Sequence, residues 1–207
     1  VEMSVSQKIV NRAKSLFSSK KSSNWVSPSC DVLVFSDGLS RKELDGKLIE
    51  KNFDILNLIL NKDSVQLVES HFLKENERRL PYFSENVIDA EPLSEMLSDK
   101  AIGSQKGPNL DVELVKLSEV LKVSLNETIL KHEALKNEYL ELLRAAQPKC
   151  VFFHNWYNQL PLIEATKTIK IPSIEIQSGL IGNEHPMYHA ETTFPKNLTP
   201  DEFWCWG

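Results

Sequence analysis

The chain has 207 residues, enough for one generous domain or two small ones. Apolar residues make up 41% and charged residues 26%, the balance of a chain that buries an ordinary core rather than staying disordered. With 24 basic against 29 acidic side chains the net charge is −5, which argues against a surface built to wrap phosphate backbones, so nucleic acid is not an expected partner.

Val5, Ile9, Ala13, Leu16 and Phe17 recur at helical spacing, and the run from Gln7 to Lys21 holds five bases and no acid. Residues 5–21 therefore predict a basic amphipathic helix that either lies on anionic lipid or docks on the domain. Ser22 to Ser29 is Ser-rich, carries Pro28 and predicts a linker, so the folded domain is expected to span 30–207.

Cys30 to Phe35 (CDVLVF) is a short β-branched run ending in Ser36, Asp37 and Gly38, the pattern of a buried parallel strand giving way to a loop at its carboxyl end. Leu48, Ile49, Phe53, Ile55, Leu56, Ile59 and Leu60 recur at spacings of three and four and predict a helix packed by one face. Ser64 to Val68 predicts the next strand, and Pro81 to Pro92 holds too many breakers for a regular element. After the break Gly103 to Pro108, an apolar stripe runs from Leu110 to Ala146 and is closed by Pro148, and it predicts two helices split near Val123 or Ser124. Cys150 to Phe153 predicts a strand, Gln159 to Ile169 a helix, Ser173 to Ile176 a strand, and Glu202 to Trp206 a final or edge strand. Such alternation predicts an α/β fold, a Rossmann-like, mainly parallel sheet flanked by helices with right-handed crossovers.

The longest uncharged apolar runs fall far short of the roughly 18 residues that cross a bilayer. The polar N-terminus does not read as a secretory signal. With three cysteines and no close pair among them, a cytoplasmic location is expected and neither a zinc knuckle nor a disulfide framework is written. Only seven glycines occur, and none form GxGxxG or GxxxxGK[ST], so no cofactor is expected in this domain.

Chemistry is expected in loops at the carboxyl ends of parallel strands, where α/β proteins bind ligands. Three stretches qualify. Asp37 and Gly38 follow the first strand. His154, Asn155, Trp156 and Tyr157 follow the strand from Cys150, although Trp156 and Tyr157 read equally as the packed start of the next helix. Gln177, Ser178 and Gly179, then Glu184, His185, Tyr188 and His189, follow the strand from Ser173. Directional donors and acceptors beside aromatic rings suit a carbohydrate or phosphate ligand. His185 and His189 are four apart, but Pro186 intervenes and no third ligand is suitably spaced, so no metal is expected. Asp37, Glu184, His154 and His185 are each able to take a proton from a hydroxyl at neutral pH. Gln177-Ser178-Gly179 is a poor nucleophile elbow, which disfavours serine hydrolase chemistry.

Four segments together carry a resemblance: PKCVFFHNWY at Pro148–Tyr157, ATKTIKIPSIEIQSGLIG at Ala165–Gly182, HPMY at His185–Tyr188 and FPKNLTPDEFWCWG at Phe194–Gly207. This part of the chain resembles the end of the N-terminal domain of bacterial capsule and O-antigen glycosyltransferases of the two-domain, Rossmann-like GT-B type. DVLVFSD and DGKLIEKNFDIL match more weakly. The resemblance implies an N-terminal acceptor-binding domain, a C-terminal nucleotide-sugar domain absent from this chain, and a carbohydrate acceptor carried on lipid at the inner face of the cytoplasmic membrane, which residues 5–21 would contact peripherally. It implies an enzyme that is inactive as this domain alone; within it, position and side-chain chemistry make Asp37 and His185, with Glu184, the expected catalytic residues, and the neighbouring polar and aromatic groups the expected substrate contacts. Relatives carry Q-H-G where this chain has Gln177-Ser178-Gly179, so a role of that histidine does not pass to Ser178. Two alternatives remain: a teichoic-acid type polyol-phosphate transferase, and a non-catalytic binding or scaffold domain with Leu110 to Ala146 as its partner surface.

Overall fold

The computed structural model describes residues 30–36, 41–51, 53, 54, 56, 60, 64–69, 87–89, 110–121, 124–179, 181, 185, 187–189 and 194–205. The expected helix over 5–21 and the linker after it lie outside them, as do Asp37, Gly38 and Glu184.

The eight described strands are β1 (Val32–Ser36), β2 (Arg41–Leu44), β3 (Lys47–Glu50), β4 (Val65–Glu69), β5 (Val87–Asp89), β6 (Cys150–Phe153), β7 (Ser173–Ile176) and β8 (Glu202–Trp204). The helices described over their whole length are α1 (Val112–Leu121), α2 (Leu125–Ala146) and α3 (Leu160–Ile169). Six strands form one sheet in the order β5-β4-β1-β6-β7-β8, and every neighbouring pair is parallel. Numbered along the chain within that sheet, the order is 3-2-1-4-5-6, the Rossmann arrangement. The fold is therefore a Rossmann-like α/β fold, as the alternation of elements predicts.

The central strands β1 and β6 are continuous apolar runs because both of their faces are covered. On one face Leu33, Phe35, Val151 and Phe153 pack with Tyr139, Leu140, Leu143 and Ala146 of α2 and Leu162, Ile163 and Ala165 of α3. On the other, Val32, Val34, Val65, Leu67, Phe152, Ile174 and Ile176 pack with Phe53 and Leu56. The helix boundaries follow from capping. Ser124 Oγ accepts from Glu127 N–H at 3.3 Å to start α2, and Gln147, at φ 49°, returns its N–H to Leu143 O to end it. The two-helix split near Ser124 is thus present, and α1 buries none of its residues. No described helix is long and apolar enough to cross a membrane.

Two expectations are corrected. The helix expected from Leu48 to Leu60 is corrected at its start: Leu48 and Ile49 lie in a β2–β3 hairpin, with Arg41 opposite Glu50 and Leu44 opposite Lys47, whereas Asp54 and Leu56 are helical and the Leu60 N–H donates to Leu56 O at 2.7 Å. Asp45 at φ 52° and Gly46 at φ 73° form its two-residue turn, and two consecutive positive φ angles match the right-handed twist of the flanking strands. The Asp-Gly pair outweighs the helical spacing at Leu48 and Ile49, so the helical residues come only after the hairpin. Within the segment expected to be irregular, Val87–Asp89 adds the short outer strand β5 beside β4.

Candidate functional site

The strand order reverses between β1 and β6, so the crevice outside their carboxyl ends is where this topology leaves room for a ligand. Ser36 ends β1 fully buried. At the end of β6, His154 is 2% exposed and continues the side-chain alternation onto the Phe53 face, with ring centroids 4.2 Å apart. Its Nδ1 lies 2.7 Å from Ile176 O, and because a carbonyl only accepts, Nδ1 carries the proton there. His154 thereby locks the end of β6 to the end of β7.

Asn155 follows at φ 52°, a left-handed conformation that its short polar side chain tolerates better than most residues. That turn redirects the chain into the single 3-10 turn Trp156–Asn158 and switches its side chains to the opposite face of the sheet. Trp156 is buried as core, edge-on to Phe194 with centroids 4.9 Å apart. Tyr157 remains partly accessible and meets His185 at 5.7 Å and Tyr188 at 6.1 Å between ring centroids.

After β7, Ser178 Oγ donates to Asn155 Oδ1 at 3.0 Å, and Gln177 Nε2 donates to Gly179 O at 2.6 Å. In the 185–189 segment, His185 Nδ1 accepts the Met187 N–H at 3.3 Å, so a neutral His185 holds its proton on Nε2 and presents a donor there. The His185 and Tyr188 rings lie 4.8 Å apart, and His189 is exposed, its N–H bonded to His185 O at 3.0 Å. Among the described residues no group of three His, Cys, Asp or Glu side chains is arranged to hold a metal ion.

The structure brings together Asn155, Tyr157, Ser178, His185 and Tyr188, residues from three stretches of the chain. It does not bring His154 among them, because one residue of alternation sends that ring through the sheet to the Phe53 side.

Sequence reading missed Glu175, the polar centre beneath this rim. It sits in the middle of β7, 1% exposed, paired in register with Phe153 on one side and Phe203 on the other. Oε1 accepts the Trp156 N–H at 3.2 Å and a short hydrogen bond from the Tyr188 hydroxyl. Burial pushes the Glu175 carboxyl above the usual range, outweighing the bonds from Tyr188, Trp156 and Asn155 that favour its charged form. Burial also raises the Tyr188 phenol, and the Glu175 carboxylate raises it further. One signal was available in the sequence: a glutamate inside a strand whose neighbours predict burial on both faces.

No protein-family model, curated protein or solved structure matches this chain.

Proposed function

We propose that the chain is the acceptor-binding half of a GT-B-type glycosyltransferase that moves a sugar from a nucleotide-sugar to a bacterial surface polysaccharide or its lipid-linked precursor. One observation carries this reading: at the carboxyl edge of β6 and β7 the imidazole of His185 lies beside the accessible ring of Tyr157, and the Ser178 hydroxyl bonds the Asn155 side-chain amide across the two loops. Sugars present hydroxyls around their edges and C–H groups on their faces, so a rim of short polar side chains beside an aromatic ring is complementary to them.

In the complete reaction the acceptor O–H bond breaks, an oxygen–carbon bond forms to the sugar, and the bond to the nucleotide diphosphate breaks. This domain would supply the base, and the donor domain would stabilise the departing diphosphate. Asp37 and Glu184 keep their candidacy as base from the sequence. His185 can serve only after its Nδ1 leaves the Met187 N–H; as it stands it is suited to donate from Nε2 to an acceptor oxygen. The basic stretch 5–21 would hold the enzyme at an anionic membrane near a lipid-borne acceptor.

The test is to titrate the isotope-labelled 207-residue chain with oligosaccharide fragments of bacterial surface polysaccharides and to follow amide shifts. Shifts confined to 155–157, 177–179 and 185–189 support the reading. Shifts confined to other surfaces, or none at millimolar oligosaccharide, overturn it.

A further inference from the structure

A carboxylate in the interior of a parallel sheet costs free energy that a leucine or glutamine of similar size would not. Glu175 is such a group, and its surroundings show a specific use for it. Its Oε1 accepts the Trp156 N–H at 3.2 Å, directly after the point where Asn155 takes up its left-handed conformation. The same oxygen that accepts from Trp156 also receives the Tyr188 hydroxyl, 13 positions further along the chain. Oε2 is buried with no hydrogen-bond partner among the described residues. A single side chain thus ties β7 to the turn after β6 and to the 185–189 segment. Tyr188 extends the link, since its ring is packed against His185 on one side and Phe203 on the other.

We propose that Glu175 is the positioning residue of the rim, using one carboxylate oxygen to hold the Asn155 turn and the Tyr188 phenol in a fixed mutual arrangement. Its effect on bound acceptor is indirect: Asn155 is oriented through its backbone, and His185 through the Tyr188 ring. The relevance of this arrangement to acceptor binding rests on the function proposed above, whereas the coupling of the two loops does not depend on it.

The experiment needs no ligand. Wild type, Glu175→Gln, Glu175→Leu and Tyr188→Phe are compared by amide hydrogen exchange at Asn155 and Trp156 and by the ultraviolet titration of the tyrosines. Glu175→Gln keeps an acceptor oxygen but removes the charge, so amide protection is expected to stay within about threefold of wild type. The Tyr188 phenol is expected to titrate lower in that variant, and the Tyr188→Phe titration identifies its contribution. Tyr139, which burial alone raises to about 12, is expected to be unmoved. Glu175→Leu removes both acceptors and is expected to lower protection at Asn155 and Trp156 by about tenfold or more, with distant α2 amides unchanged. Wild-type protection at both amides in Glu175→Leu overturns the proposal. So does an unaltered Tyr188 titration in Glu175→Gln, which decides the matter if the leucine variant does not fold. A wild-type chain that binds no oligosaccharide while these couplings hold removes the glycosyltransferase reading and leaves the positioning role standing.

Discussion

Ser178 and Asn155, 23 positions apart, are joined by a 3.0 Å hydrogen bond that bridges the loops after β6 and β7. Ser178 is exposed, so Ser178→Ala is expected to lower stability by no more than about 1 kcal/mol. Asn155 is a different case because of its φ of 52°. Asn155→Ala is expected to cost about 1–2 kcal/mol for placing an ordinary side chain in the left-handed region, with Asn155→Gly less destabilising than alanine. Urea denaturation checks the order. Alanine tolerated as well as glycine would show that the turn is not held in this conformation.

The β2–β3 turn supplies a second test of backbone conformation. A methyl group on Gly46 would meet nothing within 4 Å, yet the residue sits at φ 73°. Gly46→Ala is therefore expected to destabilise the hairpin by about 1 kcal/mol through conformational strain alone. Faster amide exchange at Leu44 and Lys47 is the readout, and no change there would contradict the turn.

Packing predicts a large contrast between two helices. Leu143 in α2 is 0% exposed, and Leu143→Ala is expected to cost about 2–5 kcal/mol. Val120 in α1 is 77% exposed, and Val120→Ala is expected to fall within about 0.5 kcal/mol of wild type. Equal losses at the two sites would mean that α1 is covered in solution.

Two carboxylates give opposite pH dependences. The Glu175 carboxyl is raised by burial, so its contribution to stability is fully present below the ordinary glutamate range and is lost as pH rises through the raised value. Glu175→Gln is expected to flatten that decline. For Asp201, burial opposes the charge but is outweighed by bonds from Lys167 and from the Ser173 N–H and hydroxyl, which hold the carboxyl below its usual range. Its contribution is present above the ordinary aspartate range and is lost as pH falls through the lowered value, so Asp201→Asn is expected to remove an acid-side decline. Thermal melts of the two variants across acidic and neutral pH separate these effects, and the same slope in both would sink the assignment.

The β6–α3–β7 unit was legible in the sequence because short apolar runs, a proline near the helix start and brief loops all point to one arrangement there. Cys150–Phe153 and Ser173–Ile176 fall at the expected positions. Leu48 and Ile49 misled because they share the spacing of the helical segment that follows at Asp54 and Leu56, although they belong to the hairpin strand before it. That the clusters after β6 and β7 share one rim was expected from their places at strand ends, and Tyr157 does meet His185 and Tyr188; which side chains touch was not legible, since that depends on how the chain leaves β6 at Asn155. Glu175 was hidden for another reason. In isolation SIEI reads as an alternating strand with a wet face, and the signal that the glutamate is interior lay only in the surrounding β-α-β pattern, which implies a sheet covered on both faces.

The pairing of β1 with β6 places Val32 beside Cys150, more than a hundred residues later in the chain. During synthesis at about 5–20 residues per second, the middle of the sheet must wait roughly 6–24 s for its second neighbour to leave the ribosome. Until then Val32 to Phe35 have only β4 to pair with, and one side of the most apolar strand stays open. The nascent protein thus carries a defined interval of vulnerability to aggregation, which ends when the PKCVFF segment emerges and closes the gap.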